Sequence, residues 1–577
     1  MTTDSSRAKE VSDRLFYDAH RDTLLAAVEA NSRRGAYTAY APITPPNARD
    51  ADEWVAARSG TTFMLSAPTS GRIRAAEVSP YTREPLGVTY SAPSVDEALS
   101  AATAAWPALR DASVRTRVGV GLESLAMIHA RGAEFAAATA HTTGQSLGMA
   151  CTGSGTNALD RGLEALAMAW SALTRIPDQV EWSQSFGSST VTLAKRYRAR
   201  PVGPALVVAC ASFPAWNAYP AIMANLATGN PVLVKPHPHS VLATAMAVEV
   251  IRDVLVAAGL PADAVQLVVD TMDDPIAARI AEHPSTRIVD FTGSPVFGDW
   301  LERNLPGTLV YTETAGANTV ILDSTADLPA TLRTLATGLS LFSGQMCTSP
   351  QNIYLPDRGV LTPDGPVSRD EVVAALVAAL DELAASPRRA AAVCGALQAE
   401  ATLTALGDAT ERAEESGRLV RRPTTFDHPD HPRARVITPL VVSHDLRTGH
   451  DLPDGEQFGP VAHLIACADT ASAVEHATTS IREHGAISSY LYCTDEVTID
   501  SIVDAYADAG ASLSVNLASS MPMQFAAAYS DYHVTGLNPA GNATLTDESF
   551  IAGRFRVIQD RRQVAVGPPP VAPAQGA

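Results

Sequence analysis

From Pro204 onward the chain alternates short, wholly apolar runs with longer stretches of helical spacing. Residues 205–210 form a β-rich apolar run, and residues 214–227 carry the helical pattern. After the Gly229-Asn230 turn, Val232-Leu233-Val234-Lys235 reads as a second strand. A helix from Ser240 to about Ala258 closes at Gly259, and residues 265–269 form a third strand. Residues 275–282 are helical, residues 287–291 form a fourth strand, and residues 293–298 open another helix. Strands that are apolar on both faces and alternate with helices predict a parallel, doubly wound α/β sheet. Ligands in such sheets sit beyond the carboxyl ends of the strands. That places Ala211-Ser212-Phe213, Lys235-Pro236-His237 and Thr292-Gly293-Ser294 on one rim.

Residues 1–60 read as an N-terminal helical extension, with helical spacing over 15–30 and a Pro-rich loop at 41–46. Ser94, with Glu97 three residues later, predicts a capped helix. Helical patterns continue to about Leu173. Gly153-Ser154-Gly155 lacks the strand before and helix after that a dinucleotide turn requires, and reads as a helix interruption. A second αβ pattern runs from Glu313 to about Asn516, with a capped helix at Ser368 and Glu371 and a polar loop over 414–435. The Pro-rich tail, 567–577, is expected to be disordered.

Composition narrows the function classes. The 577 residues carry a net charge of −19, which excludes nucleic acid or an anionic membrane as the main partner. No apolar run reaches the ~18 residues of a membrane span, and no basic segment leads into an apolar stretch at the N-terminus. The six cysteines are dispersed without a CxxC pair, as expected of free thiols in a reducing, cytoplasmic setting. In His428-Pro429-Asp430-His431 the Pro-rich loop offers no third ligand, so solvated loop histidines and no metal site are expected.

Cys347 lies in the turn Phe342-Ser343-Gly344-Gln345-Met346-Cys347-Thr348-Ser349-Pro350, between a helical run at 328–341 and a strand at 352–355. Taken alone it is a nucleophile or a small buried apolar residue.

Several segments together decide between these. Ser212-Phe213-Pro214, Gly229-Asn230-Pro231-Val232-Leu233-Val234-Lys235-Pro236, Phe291-Thr292-Gly293-Ser294, Glu313-Thr314-Ala315-Gly316-Ala317-Asn318, Gly344-Gln345-Met346-Cys347 and Glu456-Gln457-Phe458-Gly459-Pro460-Val461 occur in that order. This set resembles the aldehyde dehydrogenase superfamily from about Glu77 to about Asn516. Residues 211–217, Lys235-Pro236-His237-Pro238 and the stretch 529–538 are most similar to its phenylacetate-degradation branch, PaaN.

The resemblance implies an NAD(P)-binding domain over 61–313, a catalytic domain over 314–525 and a C-terminal oligomerisation and return segment over 526–566. A projecting hairpin over about 188–202, with a partner strand near 550–558, implies a homodimer or a dimer of dimers. Cys347 matches the nucleophile and Glu313 the general base. Where most members have Asn, this chain has Ser212; either its hydroxyl or Asn217, on the following helix, is the candidate oxyanion donor. Lys235 and Glu456 match the residues that contact the two riboses. Gly293 and Ser294 lie where a helix N-terminus faces the pyrophosphate, and His237 and Phe458 complete the cofactor set. Pro238 replaces the acidic residue that often binds the ribose 2′-hydroxyl, which, with His237 and His239 nearby, leans the expectation toward NADP over NAD. The implied reaction oxidises an aldehyde to an acid, with a ring-opened, CoA-linked semialdehyde as substrate. The rivals are a CoA-acylating dehydrogenase or acyl-CoA reductase, and a non-catalytic cofactor-binding scaffold.

Overall fold

The computed structural model describes residues 15–66, 71–314, 316–448, 455–518, 523–532 and 548–567. The expected disordered tail beyond Gly567 and most of the 529–538 stretch lie outside these residues. In the N-terminal extension, α1 (Leu15–Arg33) is followed by α2 (Ala48–Ala56), which Asn47 caps by accepting from the Asp50 N–H. Ala51 and Val55, one turn apart on α2, are buried. Helix α3 (Gly132–Thr143) ends at Gly144 in the left-handed conformation. Among the described residues, no helix is long and apolar enough to cross a membrane.

The hairpin strands β1 (Gln179–Phe186) and β2 (Ser189–Pro201) precede a five-stranded sheet. That sheet comprises β3 (Ala205–Val208), β4 (Val232–Lys235), β5 (Val265–Leu267), β6 (Ile288–Gly293) and β7 (Leu309–Thr314), in the order β5-β4-β3-β6-β7. It is parallel throughout. Every residue of β3 and β4 is buried, which is why these runs carry no polar alternation. The chain builds outward from β3 through β4 to β5, then crosses back to add β6 and β7 on the other side. The topological switch therefore lies between β3 and β6. Helix α4 (Pro214–Thr228) follows β3, and α5 (Pro295–Asn304) follows β6.

After β7 the chain continues to a second sheet. Its strands are β8 (Thr319–Leu322), β9 (Asn352–Pro356), β10 (Leu419–Arg421), β11 (Leu440–Asp445), β12 (Val461–Cys467), β13 (Ser489–Tyr492) and β14 (Leu513–Val515). Their order is β10-β11-β12-β9-β8-β13-β14. All neighbours are parallel except β10 and β11. Helix α6 (Leu328–Ser340) buries Leu332, Leu335, Ala336 and Leu339 on one face, each large side chain contributing about 1.5–3 kcal/mol.

The hairpin has the partner strand expected from the sequence, shifted along the chain. Strand β15 (Phe555–Gly567) pairs antiparallel with β2 from Phe555↔Pro201 to Gly567↔Thr190. Phe550 and Ile551, expected in that strand, are instead buried in a short helical turn, with Phe550 against Tyr311. Arg554 anchors the strand's start. Fully buried, it donates to Asp290 Oδ1 at 2.6 Å and Oδ2 at 2.9 Å. Truncating one partner of a buried pair like this costs about 3–5 kcal/mol.

Candidate active site

The turn that presents Cys347 is held from every side. Phe342 (φ 49°) and Ser343 (φ 50°) occupy the left-handed region, unusual for residues with side chains. Ser343 Oγ donates to the Cys394 carbonyl at 3.0 Å. Gln345 Nε2 donates to the Ala396 carbonyl at 3.0 Å, and its Oε1 accepts from the Gln398 N–H at 2.9 Å. Phe342 is fully buried and packs edge-on against Phe213, with ring centroids 5.5 Å apart. Gly344 combines φ +66° with a close approach: a Cβ there would stand 2.2 Å from the Gly459 carbonyl oxygen. Two of the sequence segments, 344–347 and 456–461, thus pack backbone to backbone.

Beyond the cysteine, Asn318 closes the clamp. Its Nδ2 donates to the carbonyls of Cys347 (2.7 Å) and Ser349 (2.9 Å). Its Oδ1 accepts from the N–H groups of Ile487 and Ser488, each at 3.0 Å.

Glu313, next to last in β7, is 1% exposed. Its carboxylate accepts a hydrogen bond from the Cys347 thiol. Burial, and after it the Glu313 charge, push that thiol well above the usual range. The sulfur therefore rests as a neutral thiol beside a proton acceptor. Cys210, just beyond β3, is pushed up to about 11, chiefly by burial.

Ser212 and Asn217 both line the same cavity but differ in their partners. The Ser212 hydroxyl interacts with the Cys210 sulfur, and its carbonyl accepts from Gln145 Nε2 at 2.8 Å. The Asn217 side chain is 9% exposed, and its Oδ1 is buried without a hydrogen-bond partner.

All of the sequence-derived site residues border one cavity of about 1400 Å³: Cys347, Glu313, Ser212, Asn217, Lys235, His237, Gly293, Ser294, Glu456 and Phe458. This exceeds the ~300–1,000 Å³ of a typical small-molecule pocket and leaves room for two ligands side by side. Ser294 caps α5 by accepting from the Phe297 N–H, so the helix N-terminus faces the cavity, as a pyrophosphate requires. Lys235, at the end of β4, is buried and forms an ion pair with Asp270, Nζ to Oδ1 2.8 Å. Burial pushes Glu456 up to about 8. The donor set and its alignment along the strand ends fit a nicotinamide dinucleotide. His237 offers it no charge: burial, then His239 and Lys235, push the imidazole down to about 3. His239 is lowered too, also by burial first. Burial thus works against the positive character expected at these two histidines.

Sequence reasoning missed the residues that only position others. Gln145 bridges Ser154 Oγ and the Ser212 carbonyl, both at 2.8 Å. Gln398 Nε2 donates to the carbonyls of Thr142 and Ala211, each at 2.9 Å. Their local sequences carry no signal; Asn318 stood in a recognised segment without an assigned role. The polar loop is also corrected. His431 is 9% exposed rather than solvated, because it packs on Tyr81 and bonds to Asp52 from the N-terminal extension.

The model of the aldehyde dehydrogenase family matches residues 68–523. The N-succinylglutamate 5-semialdehyde dehydrogenase of Paraburkholderia xenovorans is 28% identical over 413 residues, covering 71% of this chain and 78% of the relative. Among solved structures, an NAD-dependent aldehyde dehydrogenase from Burkholderia multivorans is 39% identical. That match covers 96% of this chain and 99% of the other, with a TM-score of 0.91. A Thermus thermophilus 1-pyrroline-5-carboxylate dehydrogenase, at 17% identity and a TM-score of 0.71, covers 92% and 100% and shares the fold.

Proposed function

Because this chain belongs to the aldehyde dehydrogenase family, as an NAD(P)-dependent oxidoreductase, we propose that it oxidises an aldehyde to a carboxylic acid through a covalent intermediate on Cys347. The observation that carries this reading is the hydrogen bond between the Cys347 thiol and Glu313, at the wall of the cavity that Lys235, Ser294 and Glu456 also line. Glu313 takes the thiol proton as sulfur attacks the carbonyl carbon, giving a tetrahedral thiohemiacetal whose oxygen carries the negative charge. The Cys347 backbone N–H and one side-chain amide or hydroxyl hold that oxygen. Collapse to the thioester expels a hydride, for which bound NAD(P)⁺ supplies the acceptor. Glu313 releases that proton to solvent and then takes one from water; the oxygen attacks the thioester carbon, the C–S bond breaks, and Glu313 returns the proton to the sulfur as the acid leaves. A carboxylate placed to activate water supports this hydrolytic outcome over transfer to CoA, and the complete residue set argues against a non-catalytic scaffold.

Two choices left by the sequence now have support. Asn217 is the better oxyanion donor, because its side chain lines the cavity and its Nδ2 donates to no described residue, while the Ser212 hydroxyl is engaged with Cys210. NAD⁺ is the better cofactor, because His237 is neutral and Lys235 is neutralised by Asp270, leaving neither to balance a 2′-phosphate. This replaces the lean toward NADP⁺.

The substrate is read as the CoA-linked, ring-opened semialdehyde of phenylacetate breakdown. Residues 211–217 and 235–238 support it through their resemblance to PaaN. The cavity's volume exceeds what a dinucleotide-sized ligand alone needs, and Arg388, on α7 (Pro387–Cys394), also lines it, with no ion pair to a described residue. The name of the Paraburkholderia relative independently points to an acid-bearing semialdehyde. Residues 61–313 are assigned to cofactor binding, 314–525 to catalysis and 526–566 to return and oligomerisation. Exposed Val557, Ile558 and Val564 on β15 support a homodimer or dimer of dimers. Six free cysteines support a cytoplasmic setting.

The test compares kcat/KM for a CoA-thioester semialdehyde, the corresponding free acid semialdehyde and a neutral aldehyde of equal chain length. A preference of at least tenfold for the CoA thioester supports the substrate reading. Equal values for all three would overturn it while leaving the reaction class intact.

A further inference from the structure

Asp52, His141 and His431 come from three distant stretches of chain: α2 of the N-terminal extension, α3, and the loop between β10 and β11. His141 Nε2 and His431 Nε2 each lie 3.0 Å from the same atom, Asp52 Oδ1. One ligand atom from each residue falls within 4.8 Å of the others. The histidine side chains are 3% and 9% exposed, that of Asp52 39%. His141, His431 and Tyr81 also line the cavity that Cys347 borders.

Held by N–H protons alone, two imidazoles gain by spreading over both carboxylate oxygens. Here both converge on one, with no Lys or Arg among the described residues paired to Asp52. A convergent triangle of two imidazole nitrogens and one carboxylate oxygen is the donor set of a borderline divalent cation. Metal–ligand bonds of about 2.0–2.2 Å in tetrahedral geometry place donors roughly 3.3 Å apart, close to the 3.0 Å that separates each imidazole nitrogen from Asp52 Oδ1. The surroundings also suit a metal. Ser79 Oγ lies 2.9 Å from His141 Nδ1 and fixes the ring by its other nitrogen. Tyr81 packs on the His431 ring with centroids 4.9 Å apart, and the His431 backbone N–H donates to His428 Nδ1 at 3.1 Å. His431 Nδ1 is buried without a partner, so it is the Nε2 side of the ring that is engaged.

We propose that Asp52, His141 and His431 form a binding site for a Zn²⁺-class divalent cation, which fastens the N-terminal extension to the wall of the substrate cavity. Three protein ligands leave a fourth position to water from the cavity. The site is separate from the cysteine chemistry and does not depend on the proposed reaction.

The experiment uses the full chain, expressed with added zinc, gel-filtered and analysed for metal by mass spectrometry, beside Asp52→Ala and His431→Gln. About one zinc per wild-type chain, falling at least tenfold in both variants, is expected. Should either variant fail to fold, cobalt substitution of the wild type decides: visible d–d bands without a thiolate-to-cobalt charge-transfer band place the ion on nitrogen and oxygen. Chelator should also lower the wild-type melting temperature and zinc restore it. Wild-type protein without stoichiometric metal, unchanged metal in folded variants, or a thiolate charge-transfer band would each overturn the proposal.

Discussion

Cys347 and Glu313 meet across the junction of two sheets: the thiol, on the turn after α6, donates to the carboxylate at the end of β7. Each is fixed by a different part of the fold, so their contact reports the seating of one sheet on the other. The pair has a pH consequence with a definite sign. The Glu313 charge helps hold the thiol above its ordinary range, second only to burial. Glu313→Gln should therefore move the pH midpoint for alkylation of Cys347 downward, while aldehyde oxidation falls about 10²–10⁴-fold. Alkylation rates against pH, read beside steady-state kcat, check both; an unchanged or raised midpoint would separate the two residues.

The oxyanion assignment predicts an asymmetry. Asn217→Ala should lower kcat about 10²–10³-fold. Ser212→Ala, which removes a hydroxyl turned toward Cys210, should cost less than about tenfold. Steady-state kinetics with one aldehyde decides, and the reverse ranking would return the role to Ser212.

Cofactor choice follows from the neutral His237. With His237 held near 3, its charge does not change between pH 6 and 9. The ratio of kcat/KM for NAD⁺ to that for NADP⁺ should be at least about tenfold, 1.4 kcal/mol, and flat over that range. A preference for NADP⁺ would contradict the reading of this rim.

Asn318 is predicted to act on both stability and turnover. Asn318→Ala leaves the Cys347 and Ser349 carbonyls and the Ile487 and Ser488 N–H groups without their partner. Unsatisfied buried groups cost about 1–3 kcal/mol each, so urea unfolding should show a loss of 2 kcal/mol or more. Asn318→Asp sets a buried carboxylate oxygen against the same two carbonyls and should recover none of it. An unaltered midpoint for Asn318→Ala would show that the clamp is dispensable.

Much of this was legible in the chain because the signals are local. β3 and β4 are apolar runs buried on both faces, and the ordered segments around Lys235, Ser294, Glu313, Cys347 and Glu456 mark one cavity. The rest depends on contacts between residues far apart. Gln398 reaches Ala211 across 187 positions and His431 reaches Asp52 across 379, so no window of sequence registers either. His237 was identified by position, but its charge is decided by burial, which spacing does not report. The choice between Ser212 and Asn217 likewise rested on partners, here Cys210 for one and none for the other.

The central claim, a covalent acyl group on Cys347, has a direct measurement. Glu313→Gln enzyme mixed with aldehyde and NAD⁺, quenched and digested, should show the peptide containing Cys347 heavier by the acyl mass, with Cys347→Ala devoid of aldehyde-dependent NADH formation. Undiminished NADH formation by Cys347→Ala, or the acyl group found on Cys210 instead, would contradict it.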